Sequence, residues 1–455
     1  MRGLLYEVYV MIKRRNQRTF LDFLRRAESL TEKQIQKLQE ERLRALLRHA
    51  YETVPYYRRQ IESLGGLQVV ESRDVKSFLS ELPMLTKTTV REFREDLKSQ
   101  DLKSRKWFYN TSGGSTGEPV RLIQDSVFYE YGQAVKRLYD LWTGYRVGMP
   151  KVVLWGSERD LFLGRESLKI RFGRWLRNEY WLNAFRMGPS EMRKYLRLIN
   201  TVRPVQILAY AEAAYELARF AEREGLKVYP PRAVMTSAGT LYTYMRETIQ
   251  RVFGAPVFNR YGSREVGDIA CECEAHEGLH ICPVTHYVEI LREDGTPARP
   301  GEVGEVVVTS LTNYAMPLIR YRIGDMAVWA EEKCSCGRAW PLLKTVTGRV
   351  TDTFVTKDGT RVHGEFFTHL VYFRDWIRKF QFIQEDYNLI VLLVVPSCRF
   401  EEAKDIIKHE HRDLEKKIQI VMGESCRLEI KLVDDIPPSP SGKYRYTVSK
   451  VAKNG

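Results

Sequence analysis

The run Asn110-Thr111-Ser112-Gly113-Gly114-Ser115-Thr116-Gly117-Glu118-Pro119 constrains the fold of this chain more than any other stretch. From Thr111 to Gly117 every side chain is absent, small or hydroxylic, so backbone N–H groups stay uncovered and several hydroxyls can share one concave surface. Such a turn makes a nest for polyphosphate oxygens, since glycine removes the Cβ that would block their approach. It is not a P-loop, because no Lys-Ser/Thr pair follows the last glycine. A flexible linker has a similar composition. Here, though, strand-like Lys106-Trp107-Phe108-Tyr109 precedes the run and Val120-Arg121-Leu122-Ile123 follows it. The expectation is a phosphate loop held between two buried strands.

A chain of 455 residues is too long for one ordinary core and implies several domains or subdomains. Residues 1–63 read as helical: Thr31 looks like a cap, Ile35, Leu38, Leu43, Leu46 and Leu47 recur at helical spacing, and Pro55 interrupts the pattern. Thr86-Lys87-Thr88 after Pro83 looks like another cap. Val152 to Trp155, Gln206 to Ala209 and Ala233 to Met235 read as buried strands, each followed by a helical segment. That alternation predicts an α/β sheet covered by helices. Between Gly278 and Trp329 the pattern becomes β-rich. It ends at Gly348-Arg349, and the remainder reads as a small α+β unit: Phe380 to Ile383, Leu389 to Val395, helical Glu401 to Ile420, and Leu428 to Leu432.

The order Thr111 to Pro119, Tyr261-Gly262-Ser263-Arg264-Glu265, Tyr321-Arg322-Ile323-Gly324-Asp325, Gly348-Arg349 and Ser441-Gly442-Lys443 resembles the adenylate-forming superfamily of acyl-CoA synthetases and adenylation domains. Within it the chain is most similar to the phenylacetate–CoA ligase branch and its CapK-type capsule-biosynthesis members. The resemblance runs from about residue 50 to the C-terminus. It implies a large N-terminal AMP-binding domain, residues 1–346, containing a β-rich subdomain, and a small mobile C-terminal lid, residues 347–455. It also implies an ATP-dependent, AMP-forming ligase that passes an acyl group to a thiol such as coenzyme A. Transfer to a sugar amine or hydroxyl, and a non-catalytic scaffold role in polysaccharide assembly, are the alternatives.

Joining a carboxylate to the α-phosphate of ATP requires holding the triphosphate, neutralising its charge and aligning the attacking oxygen. The resemblance gives the first task to Thr111, Ser112, Gly113, Gly114, Ser115, Thr116 and Gly117. Relatives commonly carry a lysine in or just after this loop, whereas here the positions hold Glu118 and Val120. Charge neutralisation then shifts to Mg²⁺ and to basic residues elsewhere. Glu265 is the natural Mg²⁺ ligand, since that ion takes oxygen donors and few carboxylates; the structural alternative is an ion pair with Arg260 or Arg264. The same resemblance puts Ser237-Ala238-Gly239, Asn259, Tyr261 and Gly262 around the adenine or the substrate. It sets Asp325 on the ribose hydroxyls, Arg349 on the nucleotide at the hinge, and Lys443 between carboxylate and α-phosphate. Trp155-Gly156-Ser157 and Tyr210-Ala211-Glu212 fall where relatives place carboxylate-pocket loops.

The cysteines carry a separate signal. Seven of them form no disulfide framework at this length, which fits a reducing compartment. Cys271-Glu272-Cys273 with His276 and His280, and Cys334-Ser335-Cys336 beyond a β-rich segment, suit a closed structural Zn²⁺ site. The chosen ligands are Cys273, His280, Cys334 and Cys336, with Cys271 and His276 as substitutes. Cys282, Cys398 and Cys426 are expected in the core.

Net charge is +14, and basic residues gather at Lys13-Arg14-Arg15 with Arg18, and at Arg165, Lys169, Arg171, Arg174 and Arg177 among Phe172, Trp175 and Trp181. Faces of this kind suit an anionic membrane, an acidic carrier protein or plain solvent. No nucleic-acid reader motif accompanies them, so no nucleic-acid partner is expected. The opening segment has Glu7 inside its apolar part and no small-residue cleavage site, and the longest apolar run, Leu389 to Pro396, is only strand-length. A cytoplasmic protein is expected, with a homodimer and peripheral contact at the inner membrane face as further expectations.

Overall fold

The first helices of the chain show how its sequence sets its boundaries. In the computed structural model, helices span Arg2–Ile12, Gln17–Ala27, Glu32–Thr53 and Pro55–Ser63. Thr31 caps the third through a reciprocal box, its hydroxyl accepting the Gln34 N–H while the Gln34 side chain accepts the Thr31 N–H at 2.9 Å. Ile35, Leu43, Leu46, Leu47 and Ala50 then bury one face. Pro55 opens the next helix at its first turn, where a missing N–H costs nothing. The structure describes residues 2–12, 16–111, 120–156, 168–347, 354–362, 364–371, 374, 376–437 and 445–451.

One sheet of 11 strands dominates the molecule. Half of it is parallel: Glu179–Asn183, Lys151–Trp155, Gln206–Tyr210, Ala233–Ser237 and Val257–Ser263 lie side by side in that order. The near-continuous burial of Lys151–Trp155, Gln206–Tyr210 and Ala233–Ser237 is what a sheet covered on both faces requires. Helices Pro189–Val202, Ala211–Arg223 and Thr243–Phe253 provide cover. Val257–Ser263 is the seam: it pairs in parallel with Ala233–Ser237 on one side and antiparallel with Gly267–Glu272 on the other. Beyond it the antiparallel half runs through Leu279–Ile281, Leu342–Thr347, Tyr321–Trp329, Val303–Ser310 and His286–Leu291. The fold is thus mixed α/β with a β-rich part, as the sequence pattern implies.

The last part of the chain forms its own sheet of 4 strands, in the order Arg427–Leu432, Leu389–Pro396, Ile377–Asp386, Thr447–Ser449. Helix Phe400–Met422 covers it through Ala403, Leu414, Ile418, Val421 and Met422. A separate sheet of 3 strands links the N-terminal and C-terminal parts of the chain, with Phe354–Val355 antiparallel to Arg361–Val362. Arg361–Val362 lies antiparallel to Arg186–Met187, and the Phe185 and Phe366 rings meet at 5.9 Å.

Two expectations need correction. Trp107–Thr111 and Arg121–Asp125 do pair antiparallel around the glycine run, but only the second strand is buried. Among the described residues the pair forms a sheet of its own, and Trp107, Phe108 and Tyr109 of its first strand are exposed. Cys398 is half-buried, whereas Cys282 and Cys426 are core residues.

Candidate active site and candidate metal centre

Along the parallel half, the chain steps from Lys151–Trp155 to Glu179–Asn183 on one side, then crosses back to Gln206–Tyr210 on the other. Loops diverge at such a reversal and leave a crevice at the carboxyl ends of the strands. Trp155 and Tyr210, the last residues of the two diverging strands, stand there with ring centroids 4.2 Å apart. They help line a cleft of 750 Å³.

The same cleft collects residues from distant sequence motifs: Ser237, Ala238 and Gly239; Asn259, Tyr261, Gly262 and Glu265; and Asp325. Each is held by its local backbone. Ser237 ends its strand with its hydroxyl donating to the Arg260 carbonyl at 3.0 Å. Ala238 then adopts φ +63°, a left-handed conformation that costs a non-glycine residue about 1 kcal/mol or more. A Cβ on Gly239 would stand 2.3 Å from the Glu212 carboxylate, so only glycine lets that side chain pack there. Asp325 is aimed by a bulge. Glu305 pairs with Met326 while Val307 pairs with Arg322, leaving extra residues on the Asp325 strand, and Gly324 turns there at φ +87°. Asp325 accepts the Tyr261 hydroxyl at 2.8 Å.

Glu265 is buried, and a cation that was not anticipated lies beside it. Lys87 Nζ lies 4.0 Å from its carboxylate, with both side chains buried. Arg260 pairs instead with Asp268, at 3.5 Å. Gln124 fixes the loop by donating to the Arg264 carbonyl at 2.8 Å and the Glu265 carbonyl at 3.1 Å. Lys87 and Gln124 were not singled out in the sequence. Thr86 is legible as a helix cap, and its hydroxyl does accept the Thr89 N–H. Nothing local marks the next residue as one that faces Glu265 from a distant part of the chain. Thr368 and Tyr446 reach the cleft from the C-terminal unit.

Thr111 is half-buried at the end of its strand, its N–H donating to Asn110 Oδ1 at 2.8 Å, and Asn110 rather than Thr111 lines the cleft. Ser112, Gly113, Gly114, Ser115, Thr116, Gly117, Ser157, Arg349 and Lys443 lie outside the described residues.

Next to strands Gly267–Glu272 and Leu279–Ile281, Cys273, His280, Cys334 and Cys336 present donor atoms all within 4.8 Å of one another. Cys273 Sγ and Cys334 Sγ are 3.5 Å apart, and Cys336 Sγ and His280 Nε2 are 3.3 Å apart. Donors bonded at about 2.0–2.3 Å to one tetrahedral ion stand about 3.5–3.8 Å from each other, so this donor set fits Zn²⁺. Burial and then the nearby Arg338 hold the His280 pKa down to about 4, leaving the neutral imidazole that a metal ligand needs. Arg338 sits behind the thiols, bonded to Glu28 at 2.9 Å and Glu274 at 3.0 Å and stacked over Trp142. Its charge would oppose the excess negative charge of three thiolates if a divalent ion were bound. The substitutes go elsewhere: His276 packs on Phe258 and faces Glu272, while Cys271 is buried on its strand outside the donor cluster.

Comparison with known proteins follows this geometry. A family model described as the CapK C-terminal domain matches residues 354–450. Protein CapK of Staphylococcus aureus is 24% identical over 379 residues, covering 82% of this chain and 80% of CapK. A phenylacetate-coenzyme A ligase of Escherichia coli K12 is 26% identical over 447 residues, covering 90% of this chain and 94% of the ligase. Among solved structures, 2-hydroxyisobutyryl-CoA ligase bound to its acyl adenylate and CoA aligns with a TM-score of 0.60 at 19% identity, covering 94% of this chain and 92% of the other. That structural likeness bears on the fold, which is that of adenylate-forming acyl-CoA ligases.

Proposed function

We propose that this chain, a homologue of CapK and of the phenylacetate–coenzyme A ligases, is an ATP-dependent carboxylate–AMP ligase that transfers its acyl group to a thiol. A carboxylate oxygen attacks the α-phosphorus, the bond from that phosphorus to the pyrophosphate oxygen breaks, and pyrophosphate leaves. A thiolate, most simply that of coenzyme A or a pantetheine-bearing carrier, then attacks the acyl carbon and AMP leaves. The observation that carries the reading is the convergence of Ser237–Gly239, Asn259–Glu265 and Asp325 on one cleft at the strand-order reversal.

In this reading Asp325 holds the ribose hydroxyls, with Tyr261 fixing its carboxylate. Trp155 and Tyr210 wall the acyl side of the cleft. Glu265 would hold Mg²⁺, which supplies charge neutralisation of the triphosphate. Lys87, buried beside Glu265, provides the nearby positive charge that the glycine run lacks. Lys443 comes from the C-terminal lid to bridge carboxylate and α-phosphate, and Arg349 meets the nucleotide at the hinge, with the boundary between domains near residue 346. Zn²⁺ on Cys273, His280, Cys334 and Cys336 would be structural, because all positions are filled by protein groups.

ATP–pyrophosphate exchange with Mg²⁺ across aryl, fatty, amino and hydroxy acids tests the reading, with Lys443→Ala as comparison. Exchange with one acid class, lost in the variant, is expected; folded protein that binds no ATP would sink it. The CapK match at 354–450 favours a second acceptor in capsule or envelope polysaccharide synthesis, a sugar amine or hydroxyl. Acyl transfer from the preformed adenylate to an amino sugar but not to coenzyme A would select it.

A further inference from the structure

Helix Arg2–Ile12 is apolar on both of its faces. One face is used: Tyr6 and Val10 pack with Leu176, and the close approach of Gly3 to the Gly148 backbone leaves no room for a Cβ on either. An ion pair from Glu7 to Arg137 and a bond from Arg2 to Asn178 fix the helix further. Its other face then points outward. Leu4 is 72% exposed, Met11 66% and Ile12 72%, with Leu5 and Val8 between them. Positions 4, 5, 8, 11 and 12 form one continuous stripe at helical spacing. A helix that is apolar all round normally has a second apolar partner.

Beside it lies helix Leu168–Arg177, packed against Arg2–Ile12, with Phe172 53% and Trp175 48% exposed and their rings stacked at 5.9 Å. Where Arg2 meets the second helix and strand Glu179–Asn183 opens a niche of 320 Å³ lined by Arg2, Arg171, Arg174, Trp175 and Trp181 among others. Its acidic residue, Glu179, is already paired with Arg177 at 3.0 Å.

We infer that this two-helix face is an attachment surface for an anionic lipid bilayer. The aliphatic stripe and the Phe172–Trp175 pair would enter the boundary between acyl chains and headgroups, where tryptophan is favoured. Arg2, Arg171 and Arg174 would meet lipid phosphates at the same depth. The helix of 11 residues is about 16 Å long, so it lies in the interface and does not cross it. Charge complementarity selects the bilayer over a second copy of the chain, because a self-pair would set arginine against arginine in a protein of net charge +14. The surface stands apart from the cleft and does not depend on the adenylation chemistry.

Vesicle co-sedimentation of the full chain tests it, with phosphatidylcholine alone and phosphatidylcholine mixed with phosphatidylglycerol. The full chain should pellet with the mixed vesicles and be released progressively by salt, since screening shortens the reach of the arginines. Leu4→Asp with Met11→Asp should lower the apparent affinity about tenfold or more, as apolar insertion sets the strength of such binding. Arg171→Gln with Arg174→Gln should remove the preference for anionic vesicles. Thermal melting and exchange activity without vesicles should be unchanged in both, which separates lost binding from lost folding. Failure to pellet with anionic vesicles, or pelleting unaltered in both variants, would overturn the inference. So would binding of inorganic phosphate without any vesicle binding, or a dimer that Leu4→Asp dissociates.

Discussion

Glu265 and its surroundings are the place where single residues decide the chemistry. Replacing it with glutamine keeps shape and removes charge, so exchange should fall about 100-fold or more if its carboxylate holds the ion that screens the triphosphate. Unfolding temperature should fall as well, because the buried Lys87 at 4.0 Å loses an ionic partner. Lys87→Met removes the other partner: it takes a buried cation from beside that carboxylate and should destabilise the fold by about 3 kcal/mol, read as a shifted urea midpoint. A second residue reports on the same loop through pH. His286 is fully buried and its Nε2–H donates to the Val266 carbonyl at 2.8 Å, one residue from Glu265. Burial, partly offset by that hydrogen bond, lowers its pKa to about 4. The neutral form is the one the fold prefers, so its contribution is whole above about pH 6.5. It is lost at about 1.4 kcal/mol per unit as pH falls toward about 4. Urea midpoints at successive pH values should therefore slope less in His286→Gln than in the wild type; equal slopes would remove His286 from the pH dependence.

At the scale of elements, the sequence was most legible where a local rule has one structural answer. The Thr31 box, Pro55 at a helix start and the apolar strand runs each forecast their own element, because capping, proline geometry and burial act within a few residues. The exposed first strand of the hairpin was not legible, since Trp107-Phe108-Tyr109 has the composition of a buried strand and only its tertiary surroundings decide otherwise. Lys87 and Gln124 stayed hidden for a related reason: each meets Glu265 only through contacts far apart in sequence. Motifs that bend one strand are different. The bulge at Ile323-Gly324-Asp325 depends on Gly324 at φ +87°, where a Cβ is strained however much space surrounds it. Gly324→Ala should raise the KM for ATP several-fold through Asp325 and cost about 1 kcal/mol in stability. An unchanged KM would detach the bulge from nucleotide binding. The loops carrying Cys273 and Cys334 bring four donor atoms together, so the purified chain is expected to hold one zinc, measured by elemental analysis. Cys334→Ser should release it and lower the melting temperature. A metal-free wild type with the same melting curve would leave the cluster as thiols only.

For the whole molecule the question is how two half-reactions share one cleft. The C-terminal part meets the N-terminal part in the present arrangement through a separate sheet of 3 strands, with Val362 paired to Arg186, Phe366 against Phe185, and Thr368 and Tyr446 at the cleft. Backbone pairing of only 2 residues on each side is a small contact to break, and the cores on the two sides continue through it. If the lid must turn between adenylation and thiol transfer, that pairing has to open once in every cycle. Cysteines at Arg186 and Val362 would face one another across neighbouring antiparallel strands, at a separation of about 4.5–5.5 Å between Cα atoms that a disulfide can span. The oxidised double variant should perform one half-reaction and lose the other: either pyrophosphate exchange persists without thioester, or preformed adenylate is consumed without exchange. Reduction should restore both, which rules out damage from the substitutions themselves, and peptide mapping of the oxidised chain locates the crosslink at the intended pair. Which half survives identifies the state seen here. A locked enzyme that completes both half-reactions at the rate of its reduced form would show that the lid need not move, and the hinge role of residues near 346 would fall with it.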